Sequence, residues 1–307
     1  MKKMKLKGPI FLALAAFFWG TTFVAQDLSS DFVNPFTFNA LRMILGSLFL
    51  VPVVLVKNKG KFFATAPEKE GKKKLFVSAF ACSLVLFVAA NFQQFGIQLG
   101  TGAGKSGFIT AMYVVLVPVF GIFLRKKIRP FLWICVCFSV VGLYLISMAS
   151  FSEGFAGILK NFSMSKSDLL TFGCAVFYAF HIIVIDYVSP ETDGVLLSLF
   201  QFLFAGIIGL VFAFVFEKPD FSVVMQGSGG ILYSAFFSCA VAYTLQILGQ
   251  QCTPAAVASI LMCMESVFAV ISDVVVLKTV LTPEELVGCF LMFLAILGAS
   301  VSDFLPI

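Results

Sequence analysis

Charge is what this chain has least of. Its 16 acidic and 21 basic residues make up 12 % of 307 positions, about half the roughly 25 % of an ordinary soluble domain. That is too little to dress a water-facing surface, and it excludes a soluble enzyme and a disordered chain. Histidine is nearly absent: His181 is the one copy. The eight cysteines (Cys82, Cys135, Cys137, Cys174, Cys239, Cys252, Cys263 and Cys289) form no CxxC pair, and each sits in or beside an apolar run. A zinc site and a disulfide-stapled secreted module are therefore not expected, and the thiols read as small buried hydrophobes. A zinc-peptidase HExxH is missing. The string Gly102-Ala103-Gly104-Lys105-Ser106 fails the full phosphate-loop pattern, and no strand precedes it. A retinal protein needs a lysine in mid-helix, but Lys105 and Lys278 fall at helix ends.

What the chain has is hydrophobicity, 60 % of residues, with a mean hydropathy of +1.03. It falls into ten apolar segments: 8–26, 35–56, 75–100, 104–124, 130–150, 168–188, 194–216, 229–251, 254–277 and 283–302. Most have the length of about 20 residues that a helix needs to cross a bilayer. Barrel strands are about half as long and alternate strictly, so the segments are helices. Prolines at 35, 130, 254 and 283 suit helix starts; Pro118 is placed to kink the fourth. The lysine-rich start followed by an apolar run resembles a signal peptide. It lacks a clear cleavage site and reads as an uncleaved first helix.

Orientation follows from Lys and Arg in short loops. Four lie at the N-terminus, seven between residues 57 and 74, and four between 125 and 129, so fifteen of the 21 share one side. With ten spans both termini are then cytoplasmic, in a multi-pass protein of the cell membrane. The loop at 189–193 on that side carries Glu191 and Asp193 and no base. The two halves look related. Phe18-Trp19-Gly20-Thr21-Thr22-Phe23 matches Phe177-Tyr178-Ala179-Phe180-His181-Ile182, and Pro118-Val119-Phe120 matches Ser266-Val267-Phe268. Five helices is an odd number, so the second copy lies inverted, and inverted repeats place a solute site at the midplane. The expected architecture is an all-α membrane protein of ten transmembrane helices, two inverted five-helix repeats at 1–150 and 167–307.

Phe18-Trp19-Gly20, Leu41-Arg42-Met43, Val117-Pro118-Val119-Phe120 and Met264-Glu265-Ser266-Val267-Phe268 together resemble the drug/metabolite transporter superfamily, in its EamA-like branch. The chain departs from the family's usual pattern at Thr22, often asparagine there, and at Ser266, often proline. Arg125-Lys126 and Val276-Leu277-Lys278 replace the usual glycine-glutamate after helices four and nine. The resemblance implies secondary transport of small metabolites, often export of amino acids or related compounds, through a cavity open in turn to each side. The glycines at 100, 102, 104 and 107 are candidate hinges. A membrane-embedded enzyme and a lipid-carrier flippase are the alternatives. The expected partners are a small-molecule solute and the bilayer, with a homodimer left open. Nucleic acid, cofactor and metal are not expected.

Polar residues within spans face the bundle interior. The candidate solute-binding set is Trp19, Thr22, Asn91, Gln94, Gln98, Tyr113, Tyr178, His181, Tyr243, Gln246, Gln250 and Glu265. Gln26 shares the polar face of the first helix. Amides and hydroxyls both donate and accept, which suits a zwitterionic or polyhydroxy solute; the alternative is hydrogen bonding between helices. Glu265 lies about midway along the ninth segment, roughly 17 Å from either end. It is a candidate for proton coupling, for cation binding beside an aromatic wall, or for an ion pair. Arg42, about 10 Å from the outer end of its helix, is its expected ion-pair partner, with Asp273 competing. Lys105 is expected to snorkel to the headgroups, or to draw an anion to the cavity mouth.

Overall fold

The computed structural model describes residues 2–63, 69–101, 103–147, 165–278, 280 and 282–302. Among these the chain is all-helical. Nine helices are long and apolar enough to cross a membrane: α1 (Lys7–Ser30), α2 (Pro35–Lys57), α3 (Gly71–Thr101), α4 (Ser106–Phe123), α6 (Lys166–Glu191), α7 (Gly194–Glu217), α8 (Ser228–Gln250), α9 (Ala255–Ser272) and α10 (Pro283–Val301). A shorter apolar helix, α5 (Pro130–Ile146), completes ten. Bulky apolar side chains cover the outside, among them Val56, Phe123, Val211 and Phe290, each more than half exposed. An apolar surface that continuous is stable only against lipid.

The helix ends are secured by carboxylates of the second half of the sequence. Glu217, at the end of α7, accepts the backbone N–H groups of Phe36 and Thr37, each at 2.8 Å, at the start of α2. Asp186 of α6 accepts the N–H of Ala255 at the start of α9. Asp193 caps α7 through Val195 and Leu196 and pairs with Lys57 at 2.7 Å. Further ion pairs join Lys74 to Glu191 and Lys126 to Asp186. In all three pairs the base comes from the first half and the acid from the second. Orphan N–H groups at a helix start need such acceptors where water is scarce.

Packing follows a rule. Helix α5 packs on α10, α2 on α7, α3 on α6 and α7, and α1 on α8 and α9, while α2 also meets α8 and α4 meets α6. Exchanging each helix for the one five places along maps this set of contacts onto itself. The α5–α10 contact shows the relation in two residues: a Cβ on Gly142 would meet the Gly288 carbonyl at 2.9 Å, and one on Gly288 would meet the Gly142 carbonyl at 2.7 Å. Small residues let backbones close up where lipid offers no hydrophobic drive.

The apolar interior divides into two main clusters. One is built mainly from α4, α5, α9 and α10, the other mainly from α2, α3, α7 and α8. Helices α1 and α6 lie at the seam, and Trp19 and Tyr178 pack against both clusters. The chain thus forms two bundles, each with helices from both halves of the sequence.

Helices α4 and α9 are interrupted in mid-span, at Ala111–Met112 and at Cys263. Pro118 lies past the interruption in α4, inside the helical stretch Tyr113–Phe123. The interior of α9 has no proline and is broken all the same. Proline is therefore not the shared cause; in both helices the chain tightens into i→i+3 bonds, such as Val114 N–H to Ala111 O and Ser266 N–H to Cys263 O. The breaks face each other, since the Cys263 thiol lies 3.8 Å from the Ala111 carbonyl. Of the candidate hinge glycines, Gly100 has a left-handed backbone (φ +97°) at the end of α3. Gly107 lies within a helical run, and Gly102 falls outside the described residues.

Candidate solute cavity at the seam

The broken helices place two candidate side chains. Tyr113 begins the second half of α4 and Glu265 lies in the first turn of the second half of α9. The Tyr113 hydroxyl donates to Glu265 Oε1 at 3.1 Å. Glu265 is 6 % exposed. Gly20 brings α1 against this spot: a Cβ there would stand 2.6 Å from the Glu265 carbonyl oxygen and 2.6 Å from Phe268 Cβ. The Phe18-Trp19-Gly20 string therefore works as a unit. Glycine permits the close approach, and Trp19 beside it faces the space that results.

That space is a cavity of about 40 Å3, lined by Trp19, Thr22, Phe23, Gln26, Arg42, Gln93, Thr110, Tyr113, Tyr178, Ile182, Ser238, Tyr243, Gln246, Met262 and Glu265. It has room for a few waters. The aromatic wall is ordered. Trp19 meets Tyr243 edge to face with centroids 4.8 Å apart, and the Tyr243 hydroxyl donates to that of Tyr178 at 3.1 Å. Gln246 donates to Gln250 Oε1 at 3.0 Å and leaves its own Oε1 without a partner. The Trp19 indole N–H is also unpartnered. Gln93 of α3 donates to Thr110 of α4 at 3.1 Å, a bond that crosses from one bundle to the other.

Of the residues singled out in the sequence, Trp19, Thr22, Gln26, Arg42, Tyr113, Tyr178, Tyr243, Gln246 and Glu265 line the cavity. Five others do not, because their side chains turn to other neighbours or to the surface. Asn91 donates to the Phe87 carbonyl and accepts from Asn39. Gln94 donates to the Gln26 carbonyl at 3.4 Å. Gln98 is exposed at the end of α3, beside Asn34. His181 is fully buried against Gln201 of α7, 3.2 Å away. Gln250 donates to the Ile182 carbonyl at 2.9 Å.

The expected ion pair between Arg42 and Glu265 is corrected. Among the described residues Arg42 has no carboxylate partner, and its Nε donates to Asn39 Oδ1 at 2.8 Å. Arg42 belongs to the α2 bundle and Glu265 to the α9 bundle, so the cavity separates what the sequence suggested would meet. The side chains of Asp273 and Lys105 lie outside the described part of the structure.

Sequence reasoning missed Gln93, Thr110 and Ser238. Gln93 and Gln94 are adjacent, and helix rotation alone decides that Gln93 lines the cavity while Gln94 meets α1. Thr110 and Ser238 carry short hydroxyls that in a membrane helix commonly bond their own backbone. Ser238 is turned by a π-helical stretch, Ser234–Ala242, with no signature in its composition.

Comparison with known proteins agrees with this architecture. The profile of the EamA-like transporter family matches twice, over residues 6–148 and 165–301. An uncharacterized transporter of Archaeoglobus fulgidus is 30 % identical over 300 residues, covering 97 % of this chain and 87 % of that protein. The uncharacterized transporters YetK and YwfM of Bacillus subtilis are 27 % and 24 % identical over 90 % and 95 % of this chain, and over 81 % and 93 % of their own lengths. A protein solved by crystallography superposes with a TM-score of 0.75 over 97 % of this chain and 96 % of its own, at 16 % identity. That likeness speaks for the fold alone.

Proposed function

Because the chain belongs to the EamA-like transporter family and its buried polar cavity lies on the seam of two bundles, we propose that it is a secondary transporter exporting amino acids or related small metabolites by alternating access. The observation that carries this reading is the placement of Glu265. A buried carboxyl, bonded by Tyr113, faces a cavity walled by Trp19, Tyr178 and Tyr243. Carboxylate and aromatic faces together suit a solute ammonium group. Isolated charge is costly at that depth. Glu265 therefore gains by exchanging a proton for the ammonium group of a solute, which couples export to proton entry.

The bundles supply the moving parts. Each is close-packed internally; the Lys57–Asp193 pair ties α2 to α7 within one of them, while Lys74–Glu191 and Lys126–Asp186 hold α3 and the segment after α4 to α6 at the seam. The seam also carries neutral polar contacts that can exchange, such as Gln93 with Thr110. All but the smallest solutes need more room than the cavity now offers, so loading requires the bundles to part. The fifteen clustered basic residues support a cytoplasmic position for both termini.

The test is counterflow in proteoliposomes with a labelled pool of the twenty amino acids. Exchange of a subset is the expected result. Failure of every member, with the protein shown to be folded, removes the amino-acid reading.

A further inference from the structure

We propose that Arg42 is the anion-binding residue of the cavity, and that the solute it takes carries a carboxylate. This rests on the transporter reading and adds to it by assigning the other end of the solute. Arg42 is 2 % exposed and lines the cavity. A relay of amides fixes its orientation. Asn91 Nδ2 donates to the Phe87 carbonyl at 2.8 Å, and Asn39 Nδ2 donates to Asn91 Oδ1 and to the Ala90 carbonyl at 3.1 Å each. Asn39 Oδ1 then receives the Arg42 Nε–H at 2.8 Å. The guanidinium lies 5.4 Å from the centroid of the Phe38 ring.

A guanidinium has five N–H donors, and this relay uses the one on Nε. Among the described residues the terminal nitrogens have no hydrogen-bond acceptor and no ion pair. A buried, rigidly held cation without an anion is costly, and a purely structural arginine would be paired. The two terminal nitrogens form the fork that matches a carboxylate with two parallel bonds. The fork also fits phosphate. Glu265 shares the cavity, however, and a doubly charged anion there would leave excess negative charge in a low-dielectric space. A single carboxylate balances Arg42, and an ammonium on the same solute meets Glu265. Such a solute would touch both bundles at once.

The purified full-length protein is titrated with the twenty α-amino acids, their carboxamides and inorganic phosphate, following its melting temperature. At least one amino acid is expected to stabilise it, with its carboxamide roughly 10- to 100-fold weaker, the range for losing a charged hydrogen bond. Arg42→Gln should bind acid and amide alike, and Arg42→Lys should keep part of the preference. Asn39→Ala, which leaves the cavity lining intact, should weaken the acid and spare the amide; it serves if Arg42→Gln does not fold. Equal binding of acid and amide by the wild type, retained preference in Arg42→Gln, stabilisation by phosphate alone, or no stabilisation by any probe overturns the proposal. Counterflow separates the two readings. Exchange without acid preference removes Arg42 and keeps the transporter; acid-selective binding without exchange does the reverse.

Discussion

Glu265 and Arg42 sit in opposite bundles across one cavity, each held by neutral hydrogen bonds rather than by an opposite charge. Neutral partners leave a charged or protonatable group free to respond to what enters. Replacing Glu265 by Gln keeps the shape and removes the titration. Counterflow should persist, while uphill transport driven by a pH gradient should disappear; unchanged gradient-driven transport would take Glu265 out of the coupling. Gly20 carries a second residue-scale prediction. Gly20→Ala forces a methyl against the Glu265 carbonyl and the α9 backbone. Overpacking of this kind costs about 1–3 kcal/mol, so the melting temperature in detergent should fall and exchange should fall with it. A Gly20→Ala variant as stable as the wild type would mean that α1 and α9 separate without cost.

At the scale of elements, the helix ends and the mid-span breaks do different work. Asp193 both caps α7 and pairs with Lys57. The lysine is well exposed, and a surface pair contributes about 0–1 kcal/mol. A lost cap costs about 1 kcal/mol. Asp193→Ala should therefore lower stability more than Lys57→Ala, in a comparison of thermal melts. If the two melts coincide, the cap contributes nothing measurable. The breaks in α4 and α9 have another role: they turn Tyr113 and Glu265 toward each other where two continuous helices would only cross. Half-helices meeting at the midplane are a recurrent way of building solute sites in lipid.

For the whole molecule, the loop charges make a testable prediction about sidedness. Contacts repeat under a five-helix shift, and basic residues crowd one set of helix ends. Cys252 is exposed in the turn between α8 and α9, on the side assigned to the cytoplasm. A membrane-impermeant maleimide should label it in inside-out vesicles and leave it unmodified in intact cells, with the other exposed thiol, Cys137 of α5, replaced by serine. Labelling in intact cells would invert the assignment.

Composition and periodic apolar runs were enough for ten membrane helices, their order and near ends, because lipid permits one solution for each such run. The likeness of Phe18-Trp19-Gly20 to Phe177-Tyr178-Ala179 anticipated two residues that lie together at the seam, Trp19 and Tyr178. Polar residues in mid-span were visible as candidates, but which of them share a cavity was not. Gln93 and Gln94 differ by one step of helix rotation, and Asn91 and Gln250 differ from Gln246 only in what their neighbours offer. Rotation and neighbours are set by packing between segments far apart in the chain, such as Gly20 on α9 and Asn39 on α3. The same is true of Arg42 and Glu265: opposite charge at similar depth suggested a pair, and only the division into two bundles decided that they stand apart.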